Sequence, residues 1–141
     1  MQKKFAIASD HAGFSLKQEL QNDLGKDFDF VDLGTDSAAS VDYPDYAHKM
    51  AEFLKDNPEY LGILICGSGI GISITANRHK HIRSALCHNA EIAGLAREHN
   101  NANILVLGAR FINIAQAKEM LVTFAKTKFT GGRHQERIQK I

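Results

Sequence analysis

Short apolar runs alternate along this chain with stretches whose apolar residues recur every three or four positions. Phe5-Ala6-Ile7-Ala8 predicts a first strand. From Phe14 to Leu24, the residues Phe14, Leu16, Leu20 and Leu24 recur among Lys, Gln and Glu, as on one face of an amphipathic helix. Asp29 to Leu33 predicts a second strand, closed by Gly34. Tyr46 to Leu54 predicts a helix with Ala47, Met50, Ala51 and Leu54 on one face, and Pro58 lies beyond its end. Leu61 to Ile65 is a dense apolar run, the mark of a central parallel strand buried on both faces. A helix over Ile72 to Asn77 follows. Ser84 to Cys87 and Ile104 to Leu107 are the fourth and fifth strands, separated by a helix around Ala90 to Arg97. A helix over Ile114 to Ala125 and a short basic helix after Gly131-Gly132 complete the pattern.

Such alternation predicts an α/β fold: a three-layer α/β/α sandwich on a five-stranded parallel sheet, doubly wound and Rossmann-like. No repeat, low-complexity tract or linker interrupts it, so residues 1–141 are expected to form one domain. Ligands of such sheets bind at the carboxyl ends of the strands. Four places therefore matter: Ser9-Asp10-His11, Cys66 to Gly71, Cys87-His88 and Gly108-Ala109-Arg110.

Composition narrows the function classes. Hydrophobic residues make up 44% of the 141, enough for a substantial core, and 23% are charged. The formal net charge of +1 gives no global attraction to nucleic acid. No apolar run has the length needed to cross a bilayer, and Ser9-Asp10-His11 cuts the first run too short for a signal peptide. The two cysteines, Cys66 and Cys87, read as free thiols, which suits a cytoplasmic protein.

The richest chemistry lies in Cys66-Gly67-Ser68-Gly69-Ile70-Gly71, between the third strand and a helix. Alternating glycines let the backbone turn sharply and approach a ligand. The helix start points free N–H groups into the turn and favours negative charge, including an oxyanion. The sixth position of the dinucleotide fingerprint, which needs glycine, is Ile72, and the Gly-Lys-Ser/Thr of nucleotide hydrolases is absent. Cys66, at the strand end, sits where a helix N-terminus favours the thiolate, so it is a candidate base or nucleophile. Cys87, inside an apolar strand, reads as a small buried hydrophobe.

Asp10 can cap the following helix while His11 faces a strand carboxyl end. His99, between a helix and the fifth strand, is either a solvated loop residue or a proton carrier. His79, His81 and His88 match no common zinc spacing, and no metal is expected. His48 reads as an exposed helix residue. Arg133 and Arg137, at i and i+4, share a helix face that suits either a phosphate or plain solvation.

Ser9-Asp10-His11-Ala12-Gly13, Ile65 to Gly71, His99-Asn100, Gly108-Ala109-Arg110 and Gly131-Gly132-Arg133-His134-Gln135 occur in this order. The ordered set, running from Ala8 to Arg137, resembles the ribose/galactose isomerase family. The resemblance implies interconversion of ribose 5-phosphate and ribulose 5-phosphate through an enediolate, without metal or organic cofactor. It implies a homodimer whose sites are shared across the interface, with pairing into tetramers left open. It further implies Cys66 as the proton-transferring base and His99, helped by Asp10, as the ring-opening group. His11, Arg133 and Arg137 resemble the phosphate-binding set, with Arg110 in support. Asn100 and the amides of Gly67, Ser68, Gly69, Ile70 and Gly71 would hold sugar oxygens, and Tyr43 resembles a pocket-lining residue. Some members carry a glutamate a few residues later in place of the loop cysteine. Here Thr75 stands four positions after Gly71, which fits the cysteine branch. A six-carbon substrate such as allose 6-phosphate or galactose 6-phosphate stays open, as do a noncatalytic sugar-phosphate-binding module and a cysteine hydrolase.

Overall fold

The structure, a computed structural model, describes residues 2–141. Its strands are β1 (Lys3–Ser9), β2 (Phe28–Asp32), β3 (Leu61–Cys66), β4 (Ser84–Leu86) and β5 (Ile104–Gly108). All pairings are parallel, in the order β2-β1-β3-β5-β4. The doubly wound sandwich expected from the alternating pattern is therefore the observed fold. β3, the densest apolar run, occupies the middle of the sheet and is buried on both faces.

The helices are α1 (Phe14–Leu24), α2 (Tyr43–Asp56), α3 (Ile70–Ala76), α4 (Ala90–Asn100), α5 (Ile114–Lys126) and α6 (Arg133–Ile138). Strand parity sorts the core into two layers. Phe5, Ile7, Ile63, Ile65, Leu105 and Leu107 face α1, α4 and α5. Ala6, Ala8, Leu64, Ile104 and Val106 face α2 and α3. Each fully buried Leu, Ile or Phe contributes about 1.5–3 kcal/mol, so these two apolar layers supply the main stabilisation.

Helix ends depart from the sequence reading by a turn or less, for identifiable reasons. α2 starts at Tyr43, because Pro44 suits a helix's first turn. α4 runs on to Asn100, where Asn101 takes the left-handed conformation (φ 46°) and its N–H meets Arg97 O. His99 is thus a helical residue of the last turn, not a loop residue.

One charged side chain enters the core. Lys17 of α1 is fully buried, and its ammonium meets Asp32 at the end of β2 and lies over the Phe14 ring. Burial alone would raise the Asp32 carboxyl. Hydrogen bonds from Lys17, Gln21 and the Gly34 N–H, with the Lys17 charge, outweigh it and hold the group below its ordinary range.

β1 connects leftward to β2, and the chain then crosses to β3 on the other side of β1. The carboxyl ends of β1 and β3 border this reversal, where connections diverge and leave a crevice.

Candidate active site

A cavity of about 580 Å³ occupies that crevice. Asp10 and His11 line it from the end of β1, Cys66, Gly67 and Ser68 from the end of β3, and Arg110 from beyond β5. Ile70, Gly71 and Ile74 of α3 and Tyr43 of α2 close the outer side.

The glycine loop shapes its floor. Gly69 has φ +78°, and its N–H donates to Cys66 Sγ at 3.2 Å. The Ile70 N–H turns to Ser68 Oγ, also at 3.2 Å. These two amides serve the loop itself, and Gly69 lies beneath the cavity rather than on its lining. Gly67, Ser68, Ile70 and Gly71 do line it. A Cβ at Gly71 would sit 2.4–2.6 Å from the Tyr43 ring and hydroxyl, so any larger residue there must push that partly exposed ring aside. Ala109 N–H to Cys66 O (2.9 Å) and Arg110 N–H to Gly67 O (3.0 Å) tie the end of β5 to the loop. The Arg110 guanidinium packs against Gly67, and among the described residues no carboxylate pairs with it.

Asp10 does cap the turn after β1. Its Oδ1 accepts from Ala12 N–H (3.0 Å) and Gly13 N–H (3.2 Å), while the residue still lines the cavity. His11 Nδ1 accepts the Val41 N–H at 3.2 Å, which leaves Nε2 as the proton-bearing donor. That contact also draws the 40–45 segment against a second space of about 540 Å³, which shares Asp10, His11 and Tyr43 with the first.

The remaining predicted residues are elsewhere in this chain. α4 joins two parallel strands and so runs back to the amino edge of the sheet. Arg83, just before β4, donates to Asn100 O at 2.9 Å there. β3 is about 17 Å long, so His99 and Asn100 stand roughly a sheet's height from Cys66. α6 docks at the same edge: Thr130 N–H and Oγ1 both bond Glu98 O (3.1 and 2.9 Å). Arg133 and Arg137, exposed on α6, accompany His99 and Asn100 rather than Cys66. His99 and His134 stack with ring centroids 4.2 Å apart and planes at 9°.

Cys87 is buried in the core, and desolvation pushes its thiol up to about 11. His88 does not line the cavity. His48 Nδ1 and His79 Nε2 are 2.7 Å apart on the far side of α2 and α3. Burial, then the neighbouring His48 and His81, hold His79 below its ordinary range, against Glu52. Among the described residues no three His, Cys, Asp or Glu side chains gather as a metal site. No helix among them is long and apolar enough to cross a membrane. Ala12 and Ile74 are lining residues that sequence reasoning missed. Ile74 was findable: Ile70 and Ile74, at i and i+4, lie off the buried face that holds Ile72 and Ala76.

Comparison with known proteins settles the family. The family model described as Ribose/Galactose Isomerase matches residues 5–141. The chain belongs to the ribose/galactose isomerase family. Relatives span the same length. Ribose-5-phosphate isomerase B of Escherichia coli is 39% identical over 140 residues, covering 99% of this chain and 94% of the relative. The ribose 5-phosphate isomerase structure from Thermotoga maritima superposes with a TM-score of 0.96 at 52% identity, covering 99% and 97% of the two chains. Ribose-5-phosphate isomerase B from Mycoplasma genitalium, solved with bound ribulose-5-phosphate, gives 0.92 at 43% identity, covering 99% and 94%. The family's fold thus matches this one over nearly the whole chain.

Proposed function

We propose that this chain interconverts ribose 5-phosphate and ribulose 5-phosphate, with Cys66 as the base that carries the proton. The observation that supports it most is Cys66 Sγ at the floor of the crevice, held by the Gly69 N–H beside Asp10, His11 and Arg110. The relative that holds ribulose-5-phosphate supports the choice of a five-carbon substrate.

On the open-chain aldose the Cys66 thiolate removes the C2 proton. The C–H electron pair becomes the C1=C2 bond, and the former carbonyl oxygen takes up negative charge. Loop N–H groups facing the cavity and Ser68 stabilise that charge without reorganising. The same thiol returns the proton to C1 as the C2 oxygen becomes the carbonyl and its proton passes to the C1 oxygen. His11 Nε2–H and Arg110 supply donors at the cavity for the sugar phosphate.

His99, Asn100, Arg133 and Arg137 act in trans. A homodimer would bring the amino-edge group of one copy to the crevice of the other. Ile70 and Ile74 at the cavity rim are more than half exposed, and Phe111 beside Arg110 is 70% exposed, an apolar rim that a second copy would cover. In that arrangement Arg133 and Arg137 anchor the phosphate far from the reacting carbons, so binding energy orients the sugar. His99 and Asp10 open the furanose ring before isomerisation.

The deciding experiment follows ribose 5-phosphate in D₂O by NMR. Deuterium at the exchanging carbon is expected. A covalent cysteine adduct without exchange would favour a hydrolase instead, and binding without either would favour a noncatalytic module. The adjoining 540 Å³ space favours a second reading, a six-carbon sugar phosphate; kcat/KM for allose 6-phosphate against ribose 5-phosphate separates the two.

A further inference from the structure

The motif Gly131-Gly132-Arg133-His134-Gln135 contains a histidine to which neither the phosphate nor the proton at C2 gives a role. His134 follows Arg133 on α6, and its ring lies flat on His99, 4.2 Å away and only 9° from parallel. α6 is otherwise tied to α4 at Glu98, the residue before His99, through Thr130. The elements that meet here therefore fix the plane of the His99 ring from one side.

We infer that His134 is a positioning residue for ring opening: it holds the His99 ring in plane. The inference rests on the reading of His99 as the ring-opening group. Ring opening breaks the bond between C1 and the ring oxygen. That electron pair stays on the ring oxygen, which takes a proton from His99, while the C1 hydroxyl gives its proton to Asp10 and becomes the carbonyl. An imidazole that donates along one direction must not swing out of plane. A flat ring stacked on it removes that motion while leaving both ring nitrogens free at the edge.

Charge supports the geometry. Two imidazolium rings this close repel, so the stack holds one proton charge more readily than two. Burial of the ring, then His99, Arg133 and Arg137, hold His134 below its ordinary range, with Glu98 opposing. These are the charged groups of α4 and α6 that act on it.

Ring opening and proton transfer at carbon can be measured apart. Ribose 5-phosphate must open before it reacts, whereas ribulose 5-phosphate is already an open chain. His134→Ala is expected to slow turnover of ribose 5-phosphate on the order of tenfold, a fraction of the effect of a positioned general acid. Solvent-deuterium exchange into ribulose 5-phosphate and KM should stay within about twofold, because Cys66 and the flanking arginines remain. His134→Phe, flat and uncharged, should recover most of the rate. The role fails if His134→Ala turns over normally, if turnover and exchange fall together, or if Phe does no better than Ala. His99→Asn separates the two levels. If it lowers turnover and exchange equally, the ring-opening reading of His99 is wrong; if it separates them while His134→Ala does not, only the role of His134 falls.

Discussion

Cys66 and Cys87 differ in surroundings more than in burial. Both are buried thiols, but Cys66 borders a cavity while Cys87 is enclosed by core side chains and held up at about 11. At pH 8, alkylation of the native protein should therefore fall on Cys66, as read by peptide mass spectrometry, and ribulose 5-phosphate should slow it. Labelling of Cys87 at the same rate would contradict the assignment. Cys66→Ala should lower turnover by about 10²–10⁴ or more, the range for loss of a positioned base, with substrate still binding. Gly71→Ala drives a methyl group into the Tyr43 ring. Overpacking a well-packed core costs about 1–3 kcal/mol, but the Tyr43 ring is partly exposed and can swing aside, so the melting temperature should fall little while KM rises.

At the scale of elements, α6 carries the two arginines proposed to bind phosphate, and β2 carries an acid-sensitive tie. Arg137→Ala removes a guanidinium but leaves α6 in place. Loss of a charged hydrogen bond worth about 1.5–3 kcal/mol predicts KM raised roughly tenfold to a hundredfold, with kcat changed less. An unchanged KM would remove Arg137 from the phosphate site. The Lys17–Asp32 pair pins α1 to β2. Because the folded Asp32 carboxyl titrates below its unfolded value of about 3.9, its contribution is present above that pH and disappears as pH falls through the folded value. Asp32→Asn leaves the buried Lys17 ammonium without its counter-ion; breaking a fully buried pair costs about 3–5 kcal/mol, and solvent at the 35%-exposed Asp32 should bring the loss below that range. Chemical denaturation at pH 7 measures that cost, and the difference from the parent should shrink towards pH 3.

The whole molecule raises a question of completeness. One chain holds the thiol crevice at the carboxyl edge of its sheet and the proposed histidine–arginine group at the amino edge. If a twofold dimer joins them, each site takes one half from each copy. Mixing inactive Cys66→Ala and His99→Asn proteins after dissociation should then regenerate activity. A random mixture leaves one intact site in half of the dimers, so recovery should approach about a quarter of the parental activity. No recovery, with heterodimers demonstrated by mass, would place both halves in one subunit's site.

Much of this arrangement was readable in the chain itself. The alternation of apolar runs with helical periodicity dictates a parallel sheet, because strands buried on both faces need helices on both sides. The position of Cys66 after β3 and of Asp10-His11 after β1 follows from the same pattern, and strand ends at a reversal of order make a crevice. Local sequence could not show that Asn101 prolongs α4 through His99, since a left-handed cap depends on which carbonyls lie within reach. Nor could it show where the motif residues gather. Cys66 and His99 are each at the end of an element, but a strand and the helix antiparallel to it end on opposite edges of the sheet. The sequence thus determined the elements, the layers and the chemistry of each motif, through periodicity and residue type. Only the tertiary structure decided which motifs share a surface, because that depends on strand order and on the direction in which each element runs.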